Sequence, residues 1–340
     1  MKRYFGAFLF FAFLISCQQN PDDNLHVYNG FTMGTTYSIK VLGESDSSID
    51  YDMLKGKIDS ILVEVNRQMS TYIDTSEISK FNKSLANEWI SVSADLIKVI
   101  DAAKWISSVS GGAFDITVGP LVNLWGFGTE NKEFEIPSED EINQIKPIVG
   151  YDKVSVDFNA NSLSKTTDGI SCDLSAIAKG FGVDKVGKYF EHLGIENYLV
   201  EIGGEIRTRG INQHGKIWAI GISRPDSYSG IQQAITLHNL SMATSGDYRN
   251  YFEEDGVRYS HTIDPRTGRP IVHNLASVTV LHEDCMMADA IATAIDVLGK
   301  KEGLKLAEEL DVPVYMIIRK GKVFEEVMSG SFRMLLIKSN

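Results

Sequence analysis

Cysteine is scarce in this chain, which has three in 340 residues: Cys17, Cys172 and Cys285. None of them belongs to a Cys-x-x-Cys pair or to a cluster of cysteine and histidine, so nothing suggests a structural zinc site. Cys17 is close to the N-terminus, which leaves Cys172 and Cys285 for the folded part. In an oxidising compartment these two could pair, and otherwise they are separate buried thiols. The sequence leaves both alternatives open.

Hydrophobic runs that could cross a membrane are also lacking. The apolar run at residues 4–15 is shorter than the roughly 20 residues that a span requires. Lys2 and Arg3 precede it, as in a bacterial signal peptide. The run ends Leu14-Ile15-Ser16-Cys17, which resembles the lipobox of bacterial lipoproteins. The predicted organisation is a lipoprotein signal peptide at 1–16, a tether at 17–27 and one folded domain at 28–340.

A lipid on Cys17 would place the mature protein outside the cytoplasm. More than one acyl chain is enough for stable anchoring, so we expect a protein held on a bacterial membrane and facing the periplasm. The sequence does not distinguish the inner from the outer membrane. The alternative is an ordinary secretory signal followed by a chance cysteine.

Positive charge is in short supply. The chain has 33 basic and 45 acidic side chains, a formal net charge of −12, and loss of Lys2 and Arg3 with the signal peptide would leave 31 against 45, or −14. Such a surface disfavours nucleic acids and anionic membrane faces as partners. An anionic ligand would therefore need a local focus of positive charge or a metal ion.

Internal repeats, low-complexity tracts and long linkers are absent from the sequence, and no Gly-x-Gly-x-x-Gly follows a strand and opens a helix, which argues against a Rossmann fold. Many predicted strands follow one another through tight turns. This favours an α+β class with layered, largely antiparallel sheets and packed helices. In the first helix, the expected buried face comprises Met53, Ile58, Ile61, Leu62 and Val65. The predicted helices are 50–68, 93–109, 176–193, 285–298 and 300–310, and the predicted strands are 33–41, 153–157, 162–165, 197–201, 205–209, 216–223, 232–238, 240–244, 257–263, 275–281, 312–318 and 322–326.

The segment 257–270 concentrates polar groups at a tight turn. An alternating strand runs through His261 and Ile263 into a turn that Asp264-Pro265 starts and Thr267-Gly268 closes. Core burial does not require an imidazole, a carboxylate and the two guanidiniums of Arg266 and Arg269 at one corner, whereas binding or catalysis often does. The alternative is a hairpin with solvated charges.

Two helix segments carry further candidate groups. Asp289 and Thr293 are four residues apart on a predicted helix, so a carboxylate and a hydroxyl share one face. These hard oxygen donors suit Mg²⁺ or Ca²⁺, although the spacing alone favours the alternative of an aspartate stabilised by the helix dipole and a buried threonine. Asp173 and Ser175 are capping residues at the start of the helix that contains Lys179, which is either a plain helix start or an anion site.

Glycine-rich corners and aromatic or thioether side chains complete the candidates. Gly111-Gly112 is expected to end the second helix, and the glycines before Phe114 and Asp115 could also clear space for a planar ring. Glu201 and Glu205 flank a Gly-Gly corner that is otherwise a simple β-turn. Met33 and Tyr72 could sandwich an aromatic ligand, with core packing as the default for both.

The order of these segments resembles the ApbE family of FAD:protein FMN transferases, over about residues 28–335. The resemblance implies an ApbE-like, T-fold-like architecture. Its most specific parts are the His-Thr-Ile-Asp-Pro and Asp-x-x-x-Thr segments. The motifs that carry it are Phe31-Thr32-Met33-Gly34-Thr35, Met69-Ser70-Thr71-Tyr72, Ser76-Glu77-Ile78-Ser79-Lys80-Phe81-Asn82, Gly112-Ala113-Phe114-Asp115-Ile116-Thr117, Asp173-Leu174, Ala178-Lys179-Gly180, Gly203-Gly204-Glu205, His261-Thr262-Ile263-Asp264-Pro265-Arg266-Thr267-Gly268 and Ala288-Asp289-Ala290 with Ala292-Thr293.

The resemblance implies a reaction and its partners. FAD is cleaved at the pyrophosphate, FMN is esterified through its phosphate to a threonine or serine of a target protein, and AMP leaves. The implied targets are extracytoplasmic subunits of sodium-pumping NADH:quinone reductases or Rnf-type complexes, with an acceptor motif of the Asp-Gly-x-Ser-Gly-Ala-Thr type. Some members instead hydrolyse FAD to FMN and AMP, and a third alternative is a flavin-binding lipoprotein without catalysis.

The resemblance also assigns roles to residues. Mg²⁺ would be held by Asp289, Thr293 and the main-chain carbonyl of Ala176, and His261 would take the proton from the incoming hydroxyl. A bulky Tyr72 favours transfer over hydrolysis, because it would keep water from the phosphate. The residues expected to bind the flavin nucleotide are Met33, Tyr72, Phe114, Asp115, Asp173, Lys179, Glu201, Glu205 and His261.

Overall fold

The computed structural model describes residues 24–43, 49–128, 136–225, 230–246, 251–254, 257–321 and 323–339. The predicted signal peptide, Cys17 and most of the predicted tether lie outside these ranges. Within them, none of the helices has the length and apolarity that a membrane crossing requires. The helices are α1 (Tyr51–Met69), α2 (Glu77–Lys83), α3 (Ala94–Val109), α4 (Gly119–Leu124), α5 (Glu139–Ile145), α6 (Ala178–His192), α7 (Cys285–Glu309) and α8 (Gly330–Ser339), with 3₁₀ turns at Ile116–Val118, Lys146–Ile148 and Tyr151–Lys153.

One eight-stranded sheet organises the described chain, and every strand pairing in it is antiparallel. Its strand order is β1-β2-β6-β7-β10-β15-β16-β17. This architecture confirms the predicted α+β class. The strands are β1 (Leu25–Thr32), β2 (Thr35–Leu42), β3 (Ile90–Ser91), β4 (Val154–Asp157), β5 (Ser162–Lys165), β6 (Tyr198–Ile202), β7 (Glu205–Arg209), β8 (Trp218–Ser223), β9 (Ile231–Leu237), β10 (Ser241–Ser245), β11 (Tyr251–Glu254), β12 (Val257–Ser260), β13 (Ile263–Asp264), β14 (Arg269–Pro270), β15 (Leu275–His282), β16 (Val314–Lys320) and β17 (Val323–Met328).

Both faces of this sheet are covered. On one face, Val314, Met316 and Ile318 of β16 join the core that includes α3 and α7. On the other face, Tyr315 and Ile317 of the same strand pack with β8, β9 and α8. The two-residue alternation of a strand produces this division. Helices α1 and α6 pack over β2 and β6 in a third cluster.

Helix α1 shows where the apolar pattern was misassigned. Met53, expected on the buried face, is 65% exposed, and Ile61 is only partly buried. The buried positions 54, 58, 62, 65 and 69 repeat every three or four residues, so Leu54 takes the place assigned to Met53.

The N-terminal boundary lies earlier than predicted. Strand β1 begins at Leu25, so residues 25–27 of the predicted tether are paired with β2, and the Gly43 N–H donates to the Asn24 carbonyl at 2.8 Å. Asn29-Gly30 concealed this strand, because that dipeptide is typical of a turn. Gly30 instead lies opposite Tyr37, whose ring occupies the space where a Cβ would be, at 2.6 Å.

Two other predicted boundaries are confirmed, and each has a clear physical cause. Helix α3 begins after Ser93, whose Oγ accepts from the Leu96 N–H, and ends before Gly111 and Gly112, which have positive φ, as predicted. The predicted break between 298 and 300 corresponds to Gly299, which interrupts α7 with φ 71° and ψ −174°. A glycine tolerates that conformation without a Cβ penalty.

Candidate active site

A cavity of about 940 Å³ opens where β6, β7, α6, α7 and the β13–β14 hairpin converge. Its volume is at the upper end of the roughly 300–1,000 Å³ range of ligand pockets. Of the predicted site residues that the structure describes, all but Met33 line its wall: Tyr72, Phe114, Asp115, Asp173, Ala176, Lys179, Glu201, Glu205, His261, Asp289 and Thr293.

Met33 does not line this cavity. It occupies the β1–β2 turn with φ 50°, and its Cε lies 2.9 Å from the position that a Cβ on Gly182 would take. It packs against the clusters beneath α1 and α6. Met33 therefore makes core contacts in the described structure, as the default alternative expects, and its predicted contact with a flavin nucleotide stays a prediction.

The start of α6 differs from the predicted cap. The helix begins at Ala178, its N-cap residue Ile177 makes no side-chain cap bond, and the Asp173 carboxylate accepts from the Ser175 N–H at 2.8 Å. The Gly180 N–H, which in a regular helix would donate to the Ala176 carbonyl, donates instead to Asp289 Oδ2 at 3.1 Å. The Ala176 carbonyl is thereby left available at the cavity wall.

Helices α6 and α7 approach each other at Gly180. A Cβ on Gly180 would lie 2.4 Å from the Cys285 carbonyl oxygen. The small residues of this segment therefore admit the backbone of α7. This close approach brings the Asp289 carboxylate within reach of the first turn of α6.

Replacing Gly180 with alanine should separate the two helices at the cavity. Overpacking of this kind costs about 1–3 kcal/mol, and a displacement near 1 Å in a site can cost on the order of 10²-fold in rate. We expect Gly180→Ala to lose both stability and activity, measured by urea unfolding and by the rate of product formation. Gly56→Ala in α1 is the control: a Cβ there meets nothing within 4 Å, so it should gain about 0.5–1 kcal/mol and keep its activity. Equal behaviour of the two variants would contradict the close-packing argument.

Lys179, Glu205 and Asp289 form a charged cluster on the cavity wall, in which both carboxyl groups are buried and Lys179 is partly buried. Lys179 Nζ donates to Glu205 Oε1 at 2.6 Å. Burial raises the pKa of Glu205, and the charge of Asp289 adds to this increase against the opposing effect of Lys179. Burial likewise raises the pKa of Asp289. Although burial alone would lower it, the pKa of Lys179 is raised by Asp289 and Glu205.

This cluster is short of positive charge. It combines two carboxyl groups with one ammonium, and the buried Glu205 Oε2 has no hydrogen-bond partner within the described residues. The described residues contain no cluster of three or more His, Cys, Asp or Glu side chains that would suggest a zinc-type centre. The oxygen donors of the wall include one carboxylate, one hydroxyl and one carbonyl, from Asp289, Thr293 and Ala176. Such hard oxygens, beside surplus negative charge, fit a divalent cation such as Mg²⁺.

Phe114 and Asp115 form a rigid part of the wall after α3. Asp115 Oδ1 accepts from the N–H and the hydroxyl of Thr117 at 2.8 and 2.7 Å, and Oδ2 accepts from the Tyr151 N–H at 2.8 Å. Burial raises the pKa of this carboxyl, against the effect of these hydrogen bonds. Both carboxylate oxygens of Asp115 are thus used to hold the loop. Asp115 therefore has a structural role, because it fixes the part of the wall that carries Phe114.

Glu201 and Tyr72 lie at other parts of the cavity. Glu201 Oε1 accepts from the Gly204 N–H at 2.7 Å and so closes the Gly-Gly corner between β6 and β7. Tyr72 is 77% exposed, which places it at the mouth. Its ring is therefore accessible to a ligand that projects from the cavity.

His261 lies between β12 and β13, because the predicted continuous strand 257–263 is interrupted there. The Thr262 N–H donates to Ser260 Oγ at 3.1 Å, and Thr262 Oγ1 donates to Asp296 Oδ2 at 3.3 Å, which ties this segment to α7. The His261 ring meets the Phe127 ring edge-on, with centroids 6.5 Å apart. The imidazole is thus held at the cavity wall, next to a segment that is tied to α7.

The predicted turn after His261 is confirmed, but the arginines do not serve the cavity. The Gly268 N–H donates to the Asp264 carbonyl at 2.8 Å, and the Trp125 indole donates to the Gly268 carbonyl at 2.8 Å. Arg266 makes two hydrogen bonds of 2.9 Å to the Asp264 carboxylate, and Arg269 pairs with Glu139. Both guanidiniums are thus paired with carboxylates, and neither arginine is among the residues that line the cavity.

Some cavity residues were not predicted. Thr244, Ser245 and Gly246 line it from the end of β10, and Gly221 and Ser223 line it from β8. The run of small polar residues at the end of β10 was the available signal. The contribution of β8 depends on how the β8–β9 hairpin folds back, and no local sequence pattern predicts that arrangement.

Cys172 and Cys285 are both free and buried. Cys172 belongs to the core around α3, whereas Cys285 packs in the cluster beneath α1 and α6. Of the two alternatives left open by the sequence, the structure therefore has the separate thiols.

Comparison with known proteins gives consistent results. A model of the ApbE family matches residues 33–316. A Vibrio cholerae protein named FAD:protein FMN transferase is 44% identical over 339 residues, covering 99% of this chain and 100% of its own length. A Haemophilus influenzae protein of the same name is 42% identical over 343 residues, covering 98% and 99%. The solved structure of the flavin transferase ApbE from Vibrio cholerae has a TM-score of 0.85 and 44% identity, over 92% of this chain and 99% of that chain.

Proposed function

The chain belongs to the ApbE family, and from this premise we propose that it catalyses the transfer of FMN from FAD to a protein, the reaction for which its relatives are named. The phosphate of the FMN half forms a phosphoester with a threonine or serine hydroxyl. The pyrophosphate bond breaks, AMP leaves and the hydroxyl loses its proton. The convergence of Lys179, Asp289, Thr293 and His261 on one cavity is the observation that carries this proposal.

The cavity meets the requirements of phosphoryl transfer, which are positioning and neutralisation of charge. The Lys179 ammonium lies at the wall, where Glu205 holds it in place and offsets its charge. In a chain of net charge −12, a pyrophosphate therefore needs a further positive charge in the cavity. His261, which also lines the cavity, would accept the proton of the acceptor hydroxyl.

A divalent cation would complete the site, and we propose Mg²⁺. Asp289, Thr293 and the Ala176 carbonyl would hold it, because they supply hard oxygen donors near the α6–α7 contact and Asp289 Oδ1 is not used by the Gly180 N–H. When bound, the ion supplies Lewis-acid neutralisation of pyrophosphate oxygens. The protein itself fixes the three ligand oxygens, because they lie on α7 and at the start of α6, and these two helices pack together.

Incubation of the protein with FAD, Mg²⁺ and a peptide of the Asp-Gly-x-Ser-Gly-Ala-Thr type tests this function. Transfer predicts flavin fluorescence on the peptide, a mass increase equal to esterified FMN, and equimolar AMP. Chelation of Mg²⁺ should abolish all three. AMP and free FMN without labelled peptide would indicate an FAD pyrophosphatase, and unchanged FAD would indicate a flavin-binding protein without catalysis.

Tyr72 is expected to bias the reaction toward transfer. Its exposed ring at the cavity mouth can cover a bound flavin nucleotide and limit the access of water to the phosphate. We predict that Tyr72→Ser raises the proportion of free FMN relative to labelled peptide, measured by chromatography of both products. Trp89→Ser, which removes an exposed aromatic ring that does not line the cavity, should leave this proportion unchanged. An unaltered proportion in Tyr72→Ser would remove the basis for its assigned role.

We also propose that the enzyme works on the outer side of a bacterial membrane. The lipobox-like Leu14-Ile15-Ser16-Cys17 supports removal of residues 1–16 and lipid attachment to Cys17. The proposed acceptors are extracytoplasmic segments of flavin-bearing redox subunits, such as those of sodium-pumping NADH:quinone reductases or Rnf-type complexes. Fractionation of cells that express the wild type and Cys17→Ser tests the anchor, since only the wild type should remain with the membranes.

A further inference from the structure

Helices α6 and α7 are joined by carboxylate-to-amide contacts in both directions. The Gly180 N–H of α6 donates to Asp289 Oδ2 of α7 at 3.1 Å. In return, the Cys285 and Met286 N–H groups of α7 donate to Asp184 Oδ1 and Oδ2 of α6, at 3.0 and 2.9 Å. In each helix the aspartate lies four residues, about one turn, after an amide that binds the other helix's aspartate. The two contacts together fix the axial position of one helix against the other.

Asp184 also supplies what the start of α7 lacks. The first amides of a helix have no partners within the helix, and the N-cap residue Asp284 makes no side-chain cap bond. Asp184, from the neighbouring helix, accepts from two of these amides. A carboxylate at a helix N-terminus is further stabilised by the helix dipole. The position of α7 therefore depends on a residue that is about 100 positions distant in the chain.

Arg207 connects this contact to the sheet. Its Nη1 donates to Asp184 Oδ1 and to the Glu283 carbonyl, both at 2.9 Å, and its Nη2 donates to Glu191 at 3.0 Å. Arg207 belongs to β7, the strand that also carries Glu205. The same strand thus supports the α6–α7 contact and one member of the cavity cluster.

We propose that Asp184 is a positioning residue for the cation site. It does not line the cavity, but it holds the start of α7 on α6 and so sets the separation of the Asp289 carboxylate from the Ala176 carbonyl. The inference rests on the proposed function, since that function places a divalent cation between these groups. Mg²⁺ requires ligand distances of about 2.0–2.1 Å in near-octahedral geometry, so a small displacement of α7 weakens binding.

Glu191 provides a matched control for Asp184. Both carboxylates are on α6 and both pair with Arg207, but Glu191 accepts from Tyr198 and the arginines and makes no contact with the amides of α7. Removing either residue should lower the melting temperature. Only the loss of Asp184 should alter the binding of Mg²⁺.

The experiment compares full-length Asp184→Ala and Glu191→Ala with the wild type. The Mg²⁺ dissociation constant is obtained from the rise of the melting temperature with Mg²⁺ concentration, and kcat and the KM for FAD are measured beside it. We expect Asp184→Ala to weaken Mg²⁺ binding by about 10–100-fold, as loss of ligand support does in metal sites. Its kcat should recover at high Mg²⁺, with little change in the KM for FAD. Glu191→Ala should bind Mg²⁺ like the wild type.

Equal Mg²⁺ dissociation constants for the wild type and Asp184→Ala would overturn the inference and leave Asp184 a merely structural residue. Absence of any Mg²⁺ effect on the wild type would overturn it as well. If Asp184→Ala does not fold, Asp184→Asn against Glu191→Gln decides, because asparagine keeps one acceptor oxygen and should weaken Mg²⁺ binding in the same direction. Failure of the wild type to label the acceptor peptide while it binds Mg²⁺ would instead sink the proposed function, and the ratio of dissociation constants would still judge Asp184.

Discussion

Replacing Asp289 with alanine is expected to abolish Mg²⁺-dependent FMN transfer while FAD binding persists. Asp289 is the sole carboxylate of the proposed cation set, and its removal also leaves the Gly180 N–H without its acceptor. A metal ion contributes several kcal/mol of transition-state stabilisation, which corresponds to about a thousandfold in rate. Turnover measured by peptide fluorescence should fall by at least that order. FAD affinity, measured by quenching of flavin fluorescence, should change far less, because the remainder of the cavity is intact.

Asp289→Asn separates the charge of this residue from its structural contact. The asparagine carbonyl can still accept from the Gly180 N–H, so the helices should remain in place, but a neutral amide is a weak ligand for Mg²⁺. We expect this variant to approach the wild type in melting temperature and Asp289→Ala in turnover. Wild-type turnover in either variant would refute the metal assignment.

The elements of this fold that follow local rules were accessible from the sequence. Ser93 caps α3 and Gly299 breaks α7 because a cap and a positive φ are properties of single residues and their neighbours. The hairpin that follows His261 has the same origin, since Asp264 and Gly268 form its turn. Strand β1 was not predicted. Gly30 is suitable in this strand because it leaves room for the ring of Tyr37, and Tyr37 belongs to the next strand.

The same distinction between local rules and distant contacts applies to the site. Its members could be named, because their order along the chain resembles a family, but their relations depend on distant residues. The pairing of Lys179 with Glu205 and the support of α7 by Asp184 join positions 26 and about 100 residues apart. Met33 illustrates the reverse: its motif identified the family, whereas Gly182 decides that its side chain points into the core. A motif indicates that a residue is important, but it does not predict which contact that residue makes.

His261 is expected to have the second large effect. Loss of a positioned general base typically costs about 10²–10⁴-fold in rate. In His261→Gln, the side chain keeps a comparable size and polarity but cannot take the proton of the acceptor hydroxyl. We therefore expect kcat to fall within that range while FAD affinity and the Mg²⁺ dissociation constant stay close to wild type, because Lys179, Asp289 and Thr293 are unchanged in this variant.

The pH dependence distinguishes this role from a structural one. A base must be unprotonated to act, so the transfer rate of the wild type should decline toward acid pH, and this decline should be absent from the small residual activity of His261→Gln. His238→Gln, in the exposed turn between β9 and β10, is the control and should retain both the rate and the acid limb. A histidine that only supported the hairpin through its edge-on contact with Phe127 would behave differently. In that case His261→Gln would lose stability but keep the acid limb of the wild type, and the proton acceptor would have to be sought among the carboxyl groups of the wall.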